Sequence, residues 1–333
     1  MAGFFESIDA IPLRLQLVTD GLERQIIQGL SKSDKELPSK LLYDEVGSYL
    51  FEQISELPEY YLTRTETEIM QTVASEIAAL AGRNCLLIEY GSGDSKKTRI
   101  LLDHLEELTA YVPIDISREN LLRTAKKLKA IYPGLMIFPL WEDFTGPINL
   151  PPIDGPISRY LAYFPGSTIG NFYPEQAIAF LQSVAHLVGP GGVLIIGVDM
   201  KKEANVLDLA YNDRVGITAE FNLNALARIN REFGADFRID RFRHQAFYNE
   251  AEGRVEMHLV SSRDQTVHLN GTEILFRASE SILTEVSYKY TLEEFNSLAA
   301  KAGFSTVRVW TDRHSMFSVH YLVVESNKTV CCS

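Results

Sequence analysis

Cysteine is nearly absent: among 333 residues only Cys85, Cys331 and Cys332 occur, too few and too badly spaced for a disulfide framework or a zinc site. A reducing compartment, the cytoplasm, is the expected setting. The seven histidines are scattered, with no His-x-x-x-His pair and no His/Cys cluster, so no metal is expected. A Gly-x-Ser-x-Gly nucleophile elbow is missing, as is any apolar run near the ~20 residues that span a bilayer. Basic residues are outnumbered, giving a formal net charge of −12, which disfavours nucleic acid as a partner. No basic leader with an apolar core is visible, and no repeat or low-complexity segment. What the composition leaves is a cytoplasmic chain acting on small molecules, without nucleic-acid or membrane partners, and expected as a monomer; 46% hydrophobic content is ample for a large core.

The richest stretch runs from Leu86 to Thr98 (LLIEYGSGDSKKT). A short apolar strand ends in Glu89-Tyr90, a turn contains Gly91 and Gly93, and a helix begins. This is how an α/β sheet cradles a nucleotide-like ligand against free helix N–H groups. A dinucleotide fingerprint needs a third small residue where Lys96 stands, and a Walker loop needs Gly directly before its Lys-Thr, where Lys96 again intervenes. Nicotinamide cofactors and ATP are therefore disfavoured. An acid followed by Gly-x-Gly is similar to the first motif of S-adenosylmethionine-dependent methyltransferases, whose cofactor carries a ribose and no phosphate.

The flanking pattern alternates strand and helix. After a helix over about Thr98 to Glu107 comes the strand Tyr111 to Asp115, whose acid lies 24 residues beyond Gly91, where a ribose needs an acceptor. Ser117 is placed to cap a helix carrying Leu121, Leu122, Ala125 and Leu128. Leu135 to Leu140 reads as a third strand, followed by Asp143-Phe144, with Asp143 near an adenine amine. Arg159 to Phe164 is a fourth strand, Pro174 opens a helix through Leu187, and Val193 to Val198 is a buried fifth strand. The expected fold class is thus α/β, a Rossmann-like doubly wound sheet. Its closing helix (Leu292 to Ala300) and strands (Thr306 to Trp310, Phe317 to Glu325) come about 90 residues late, so an α+β insertion is expected over 200–290. In it Val255, Met257 and Leu259 alternate with Glu256 and His258, the pattern of a half-buried strand. Before the sheet, Leu22, Ile26, Ile27 and Leu30 suggest a helix capped by Asp20 and Glu23. Thr65 with Glu68 suggests a second capping box before Ile69, Val73 and Ile77. The division expected is 65–199 plus 291–333 for the cofactor domain, and 1–64 plus 200–290 for a second, substrate-binding α+β lobe.

Longer strings carry a resemblance. LYDEVGS (42–48), LPEYYLTRTE (57–66), YFPGSTIGNF (163–172), YND with GITAEFN (211–222) and LTEVS (283–287) resemble the L-histidine Nα-methyltransferases of ergothioneine biosynthesis. The resemblance runs from about Leu37 onward. It implies three methyl transfers from S-adenosylmethionine to the α-amine of histidine, giving hercynine. It also implies cofactor contacts from Gly91, Lys97, Asp115, Asp143 and Phe144, and histidine contacts from Tyr60, Asn171, Tyr211, Glu285 and Ser287, with Tyr43 near the amine as the catalytic candidate. Asn171 and Tyr211 would hold the carboxylate, Glu285 one ring N–H, and Ser287 the other nitrogen as donor or acceptor. Tyr90, Asp94 and Glu142 depart from the family pattern on the cofactor side. Taken by themselves these residues have plainer readings: Tyr60-Tyr61 as a packed aromatic corner, Asn171 as a turn amide, Tyr211 as helix core, and Glu285, Ser287 and Lys289 as one solvated strand face. A methyltransferase for another aromatic amine, such as a tryptophan derivative, and a non-catalytic cofactor-binding protein are the competing functions.

Overall fold

A computed structural model describes residues 21–93 and 95–325. Thirteen strands, numbered in chain order, lie within them. They are β1 (Lys35–Glu36), β2 (Cys85–Tyr90), β3 (Ala110–Asp115), β4 (Leu140–Trp141), β5 (Arg159–Phe164), β6 (Val193–Asp199), β7 (Phe242–Asn249), β8 (Arg254–Ser261), β9 (Gln265–Leu269), β10 (Thr272–Phe276), β11 (Ser281–Tyr288), β12 (Phe304–Thr311) and β13 (Phe317–Val324). The helices are α1 (residues 21–30), α2 (Glu45–Ile54), α3 (Tyr61–Ala81), α4 (Lys96–Leu102), α5 (Arg118–Ile131), α6 (Pro174–Val188), α7 (Ala204–Tyr211), α8 (Ile217–Phe233) and α9 (Leu292–Lys301).

The central sheet has seven strands in the order β12-β13-β6-β5-β2-β3-β4. Strands β4, β3, β2, β5 and β6 are parallel, and β13 enters antiparallel against β6, opposing Phe317 to Asp199. Strand β2 (CLLIEY) and β6 (VLIIGVD) are buried along their whole length because helices cover both faces, so their sequences are continuous apolar runs rather than alternations. The order reverses between β2 and β5, and at that crevice a ligand finds the carboxyl ends of the strands and the Gly91 turn. This is the doubly wound α/β fold expected.

A second sheet, β1-β11-β8-β7, and the hairpin β9-β10 are built mostly from the residues between β6 and α9. β1 joins it from the N-terminal segment, pairing in parallel with β11 (Lys35 with Ile282). Two chain regions some 240 residues apart therefore share one sheet.

Several local expectations are corrected. The third strand shrinks to Leu140–Trp141, with only a bridge from Ile137 to Tyr111 before it. Pro139 has no N–H to give the ladder at this sheet edge. Helix α4 spans Lys96–Leu102, starting earlier and ending sooner than the sequence suggests. The capping box at Thr65 does not form: α3 begins at Tyr61, and Thr65 and Glu66 are buried inside it. Burial of Tyr61 and Leu62 extends the helix back through the box. Ser117 occupies the N-cap position of α5, but its hydroxyl makes no cap bond. The Asp20 half of the first box lies outside the described residues. On β8, Glu256 is buried rather than solvated, held by Arg254 and Asn249. Among the described residues no helix is long and apolar enough to cross a membrane, and no cluster of His, Cys, Asp or Glu is arranged to hold a metal.

Candidate active site

At the end of β2 the chain turns at Gly91, whose φ of 74° is left-handed and favours glycine. Its N–H and that of Ser92 bond to Ile114 O (2.8 and 3.3 Å), tying the turn to β3. The Asp115 carboxylate then accepts from Gly93 N–H (3.2 Å) and Ser117 N–H (2.9 Å). Burial raises its pKa, partly offset by these N–H bonds. The ring of Phe144 lies 3.8 Å from where a Gly91 Cβ would stand, packed edge-on against Tyr90 and Phe164. Asp143 is engaged by the Thr145 hydroxyl (2.6 Å) and by Lys40 of the N-terminal segment (3.1 Å). Burial opposes its charge, but these partners outweigh burial and hold its pKa below the ordinary value. Gly91, Asp115, Asp143 and Phe144 thus gather around one turn, as the sequence suggests. Two buried hydroxyls there, Ser92 Oγ and Ser117 Oγ, have no hydrogen-bond partner. Unpaired hydroxyls beside a carboxylate suit a ligand rich in ribose oxygens.

Lys97 is placed differently from a simple cofactor contact. It forms an ion pair with Glu66, which is fully buried in α3 and accepts the Gly166 N–H (2.9 Å). Glu66 has no distinguishing signal in the sequence beyond its place inside an apolar helix stripe. Below the turn lies a second buried acid. Glu89 accepts from the Thr98 hydroxyl (2.7 and 2.8 Å) and from Tyr111, and burial pushes its pKa up to about 8.

The residues assigned to histidine gather separately, around a chamber of about 40 Å³ whose walls include Tyr43, Tyr60, Phe221 and Met257. Glu285, Ser287 and Lys289 are 8%, 4% and 1% exposed, so the solvated-face reading of β11 is wrong. Glu285 Oε1 accepts from the Tyr43 hydroxyl and from Asn171 Nδ2, both at 3.0 Å. Burial raises the Glu285 pKa to about 7, against the opposing effects of Tyr43 and of the Lys289 charge. Burial, reinforced by Glu285, pushes Tyr43 far above the usual phenol range, so it stays a neutral donor. Tyr60 packs edge-on against Tyr211 and Phe51, an aromatic corner that also lines the chamber. Outside the chamber a cleft of about 610 Å³ opens between α1, α6 and β11, and Asn171 and Glu285 stand on the boundary of both spaces.

Asn171 is set by a tight approach. It ends a 3-10 turn (Thr168–Asn171) in which a Cβ on Gly170 would lie 2.7 Å from Tyr288 O. Gly170→Ala is therefore expected to push this turn off β11 at a cost of about 1–3 kcal/mol and to raise the histidine KM while leaving cofactor affinity unchanged. Calorimetry with each ligand checks the split.

Behind Ser287 lies a polar network that sequence reasoning missed. Lys289 pairs with Asp199 (2.9 Å), both fully buried, and Asp199 also binds Lys202 (2.6 Å) and the Tyr61 hydroxyl (2.8 and 2.9 Å). Burial works against both charges, but for Asp199 the two lysines win and lower its pKa, while Asp199 and Tyr211 raise that of Lys289. One signal was available: Asp199 ends a buried parallel strand, where acids point at the ligand crevice.

The raised carboxylates imply a pH effect on stability. An acid whose folded pKa exceeds its unfolded value stabilises the fold below the unfolded value and loses that contribution as pH rises through the folded one. For Glu285 and Glu89, at about 7 and about 8, the loss begins near the ordinary carboxylate value of 4.5 and is complete by about pH 8.5. Buried His320, lowered to about 4, acts with the opposite slope, but only below the ordinary histidine value near 6.5. Above about pH 6.5, where His320 no longer offsets the loss, the ligand-free protein is expected to lose on the order of 2 kcal/mol, a few degrees of Tm, up to about pH 8.5. In differential scanning, Glu89→Gln and Glu285→Gln should each flatten the decline.

Comparison with known proteins gives the family. Residues 22–324 match the model of the histidine-specific, SAM-dependent methyltransferases. The histidine N-alpha-methyltransferase of Mycobacterium tuberculosis is 42% identical over 90% of this chain and 93% of its own. Ergothioneine biosynthesis protein 1 of Neurospora crassa is 33% identical over 91% of this chain, which spans 35% of that longer protein. An L-tryptophan methyltransferase of Psilocybe serbica is 28% identical over 90% of this chain and 92% of its own. With the family model covering nearly all the described residues, and a relative at 42% identity along almost its whole length, the chain belongs to the histidine-specific, S-adenosylmethionine-dependent methyltransferase family.

Proposed function

We propose that this protein is an S-adenosylmethionine-dependent L-histidine Nα-methyltransferase, which trimethylates the α-amine to hercynine as the first step of ergothioneine biosynthesis. The observation that carries the reading is the buried pair Glu285 and Ser287, side by side on one face of β11 and opening on an aromatic-walled chamber. An imidazole presents two polar edges to such a pair, whereas an indole would leave one of them unpaired at a cost of a buried, unsatisfied group.

In this proposal Asp115, Asp143, Phe144 and the Gly91 turn hold the cofactor, and Lys97 borders it from its pairing with Glu66. When bound, the cofactor supplies a methyl group on a sulfonium, already joined to a good leaving group. The protein's own task is alignment: Glu285 and Ser287 grip the ring, Asn171 reaches the carboxylate, Tyr211, expected there too, instead gives its one hydroxyl hydrogen to Ser287, and the Tyr43 and Tyr60 side chains wall the amine. The amine must shed a proton before each of the three transfers. Tyr43 holds its own proton tightly, so its role is to orient the amine or a water through its hydroxyl rather than to act as the base. The second sheet with residues 21–64 forms the substrate lobe, and 65–199 with 291–325 the cofactor domain; residues 1–20 and 326–333, assigned to these two from the sequence, lie outside the described residues. A cytoplasmic monomer completes the reading, supported by the scarcity of cysteine and the net negative charge; analytical ultracentrifugation checks the monomer.

The test is mass spectrometry after incubation with S-adenosylmethionine and either histidine or tryptophan. Successive gains of about 14 daltons on histidine, the mass of one CH₂ each, are expected. Equal or greater turnover of tryptophan would overturn the substrate assignment, and cofactor binding without any mass gain would point to a sensor.

A further inference from the structure

Three atoms behind the chamber fix the direction of a hydrogen bond inside it. The Lys289 ammonium donates to Asp199 Oδ2 (2.9 Å), Ser287 Oγ (2.8 Å) and the Tyr211 hydroxyl oxygen (3.0 Å). An ammonium has three hydrogens and no lone pair, so all of its capacity is spent and both hydroxyl oxygens must accept from it. The Tyr211 and Ser287 oxygens are also bonded to each other at 2.9 Å. A phenol is the stronger acid and an aliphatic hydroxyl oxygen the better acceptor, so Tyr211 donates in that pair. Ser287 Oγ then accepts twice, from Lys289 and from Tyr211. Its two lone pairs are filled, and only its hydrogen is left for the chamber.

We propose that Lys289 is a positioning residue that makes Ser287 a donor only, so that the chamber takes the neutral imidazole of histidine in one tautomer, with the unprotonated ring nitrogen on Ser287 and the ring N–H on Glu285. This rests on the histidine reading above and narrows it, because the sequence left Ser287 free to serve as donor or acceptor. Lys289 does not line the chamber and touches no substrate; it acts through Ser287 and Tyr211. Asp199 is the second half of the device. It keeps the lysine charged in a fully buried setting, with Lys202 and Tyr61 completing the shell around the carboxylate. The other titratable groups facing the ring are Glu285 on β11 and the phenols Tyr43, Tyr60 and Tyr211, which burial keeps protonated. A buried Glu285 alone would favour an imidazolium, which could place a second N–H on any acceptor nearby; a saturated Ser287 offers that N–H nothing.

The test is nuclear magnetic resonance of histidine labelled with ¹⁵N at both ring nitrogens, bound to the full chain with S-adenosylhomocysteine, the demethylated cofactor, so that no turnover occurs. One protonated and one unprotonated nitrogen are expected, unchanged between about pH 6 and 9, a range that spans the ordinary titration of the free ring. In Lys289→Met, Ser287 regains a lone pair, and the bound ring should become doubly protonated at the acidic end of that range. Lys289→Arg, which restores a buried cation and its donors, should return the wild-type spectrum. A doubly protonated ring in the wild type at neutral pH would overturn the inference, and that measurement needs no variant to fold. So would a Lys289→Met spectrum identical to wild type across the range. Failure of histidine to bind at all would instead take down the substrate assignment, which the tryptophan arm of the mass-spectrometric assay then identifies.

Discussion

Glu285→Ala is expected to raise the dissociation constant for histidine by about 10- to 100-fold, equivalent to about 1.5–3 kcal/mol for a hydrogen bond with one charged partner. Cofactor affinity should be unchanged, because Glu285 lies in the inner chamber rather than at the Gly91 turn. The structure adds a second cost. Tyr43 and Asn171 both donate to Glu285 Oε1, so truncation leaves two donors to find new partners at the mouth of the chamber. Glu285→Gln, which keeps one acceptor oxygen, should therefore fall between wild type and alanine. Removing the carboxylate also removes the group that penalises an apolar ring, and turnover of tryptophan should rise relative to histidine. Steady-state kinetics on both amino acids decides it: a histidine KM like that of the wild type would show that Glu285 does not read the ring.

The strands that frame the cofactor crevice were legible because burial on both faces writes itself as an unbroken apolar run. Val193 to Val198 and Leu86 to Ile88 could hardly be anything else once Gly-rich turns bounded them. The insertion was legible for a related reason, since the closing helix and strands were intact but late. Edges were not. Leu135 to Leu140 has the composition of a strand, and only its position at the sheet margin, together with Pro139, reduces it to two residues. The start of α3 was misjudged because a capping box is a local signal, and tertiary burial of Tyr61 and Leu62 overrode it.

The candidate site divides in the same way. The residues named from the resemblance fall into two clusters, one around the Gly91 turn and one around the chamber, while Glu66, Asp199 and Lys202 escaped notice. Their importance lies mainly in partners far along the chain: Glu66 with Lys97 and Gly166, Asp199 with Tyr61 and with Lys289 some 90 residues on. No periodicity encodes such a pairing. Lys289 was visible only as the third member of an alternating polar row that runs one residue past the end of β11, and alternation alone cannot tell a solvated face from one buried against a second polar layer. Burial decides between them, and burial is set by the 3-10 turn Thr168–Asn171 packed on β11 and by the Tyr43 and Tyr211 side chains reaching over that face.

Asp115→Ala is expected to weaken S-adenosylmethionine binding by about 1.5–3 kcal/mol, roughly 10- to 150-fold, the range for a lost hydrogen bond to a charged group. The carboxylate has two duties that the variant removes together. It accepts Gly93 N–H and Ser117 N–H, fixing the turn against the start of α5, and in the proposed role its remaining lone pairs serve the cofactor. Asp115→Asn separates them. One amide oxygen still accepts a backbone N–H and holds much of the turn, but the charge is gone and an NH₂ group takes the place of one oxygen. If the carboxylate contacts a ribose hydroxyl pair directly, asparagine should bind cofactor nearly as poorly as alanine while its Tm stays close to wild type. If Asp115 only braces the loop, asparagine should recover most of the affinity. Histidine affinity should be little changed in either variant when measured without cofactor, since the chamber is lined by other residues. Calorimetric titration of the three proteins with S-adenosylmethionine settles the point, and an alanine variant that binds it as tightly as wild type would remove Asp115 from the cofactor site altogether.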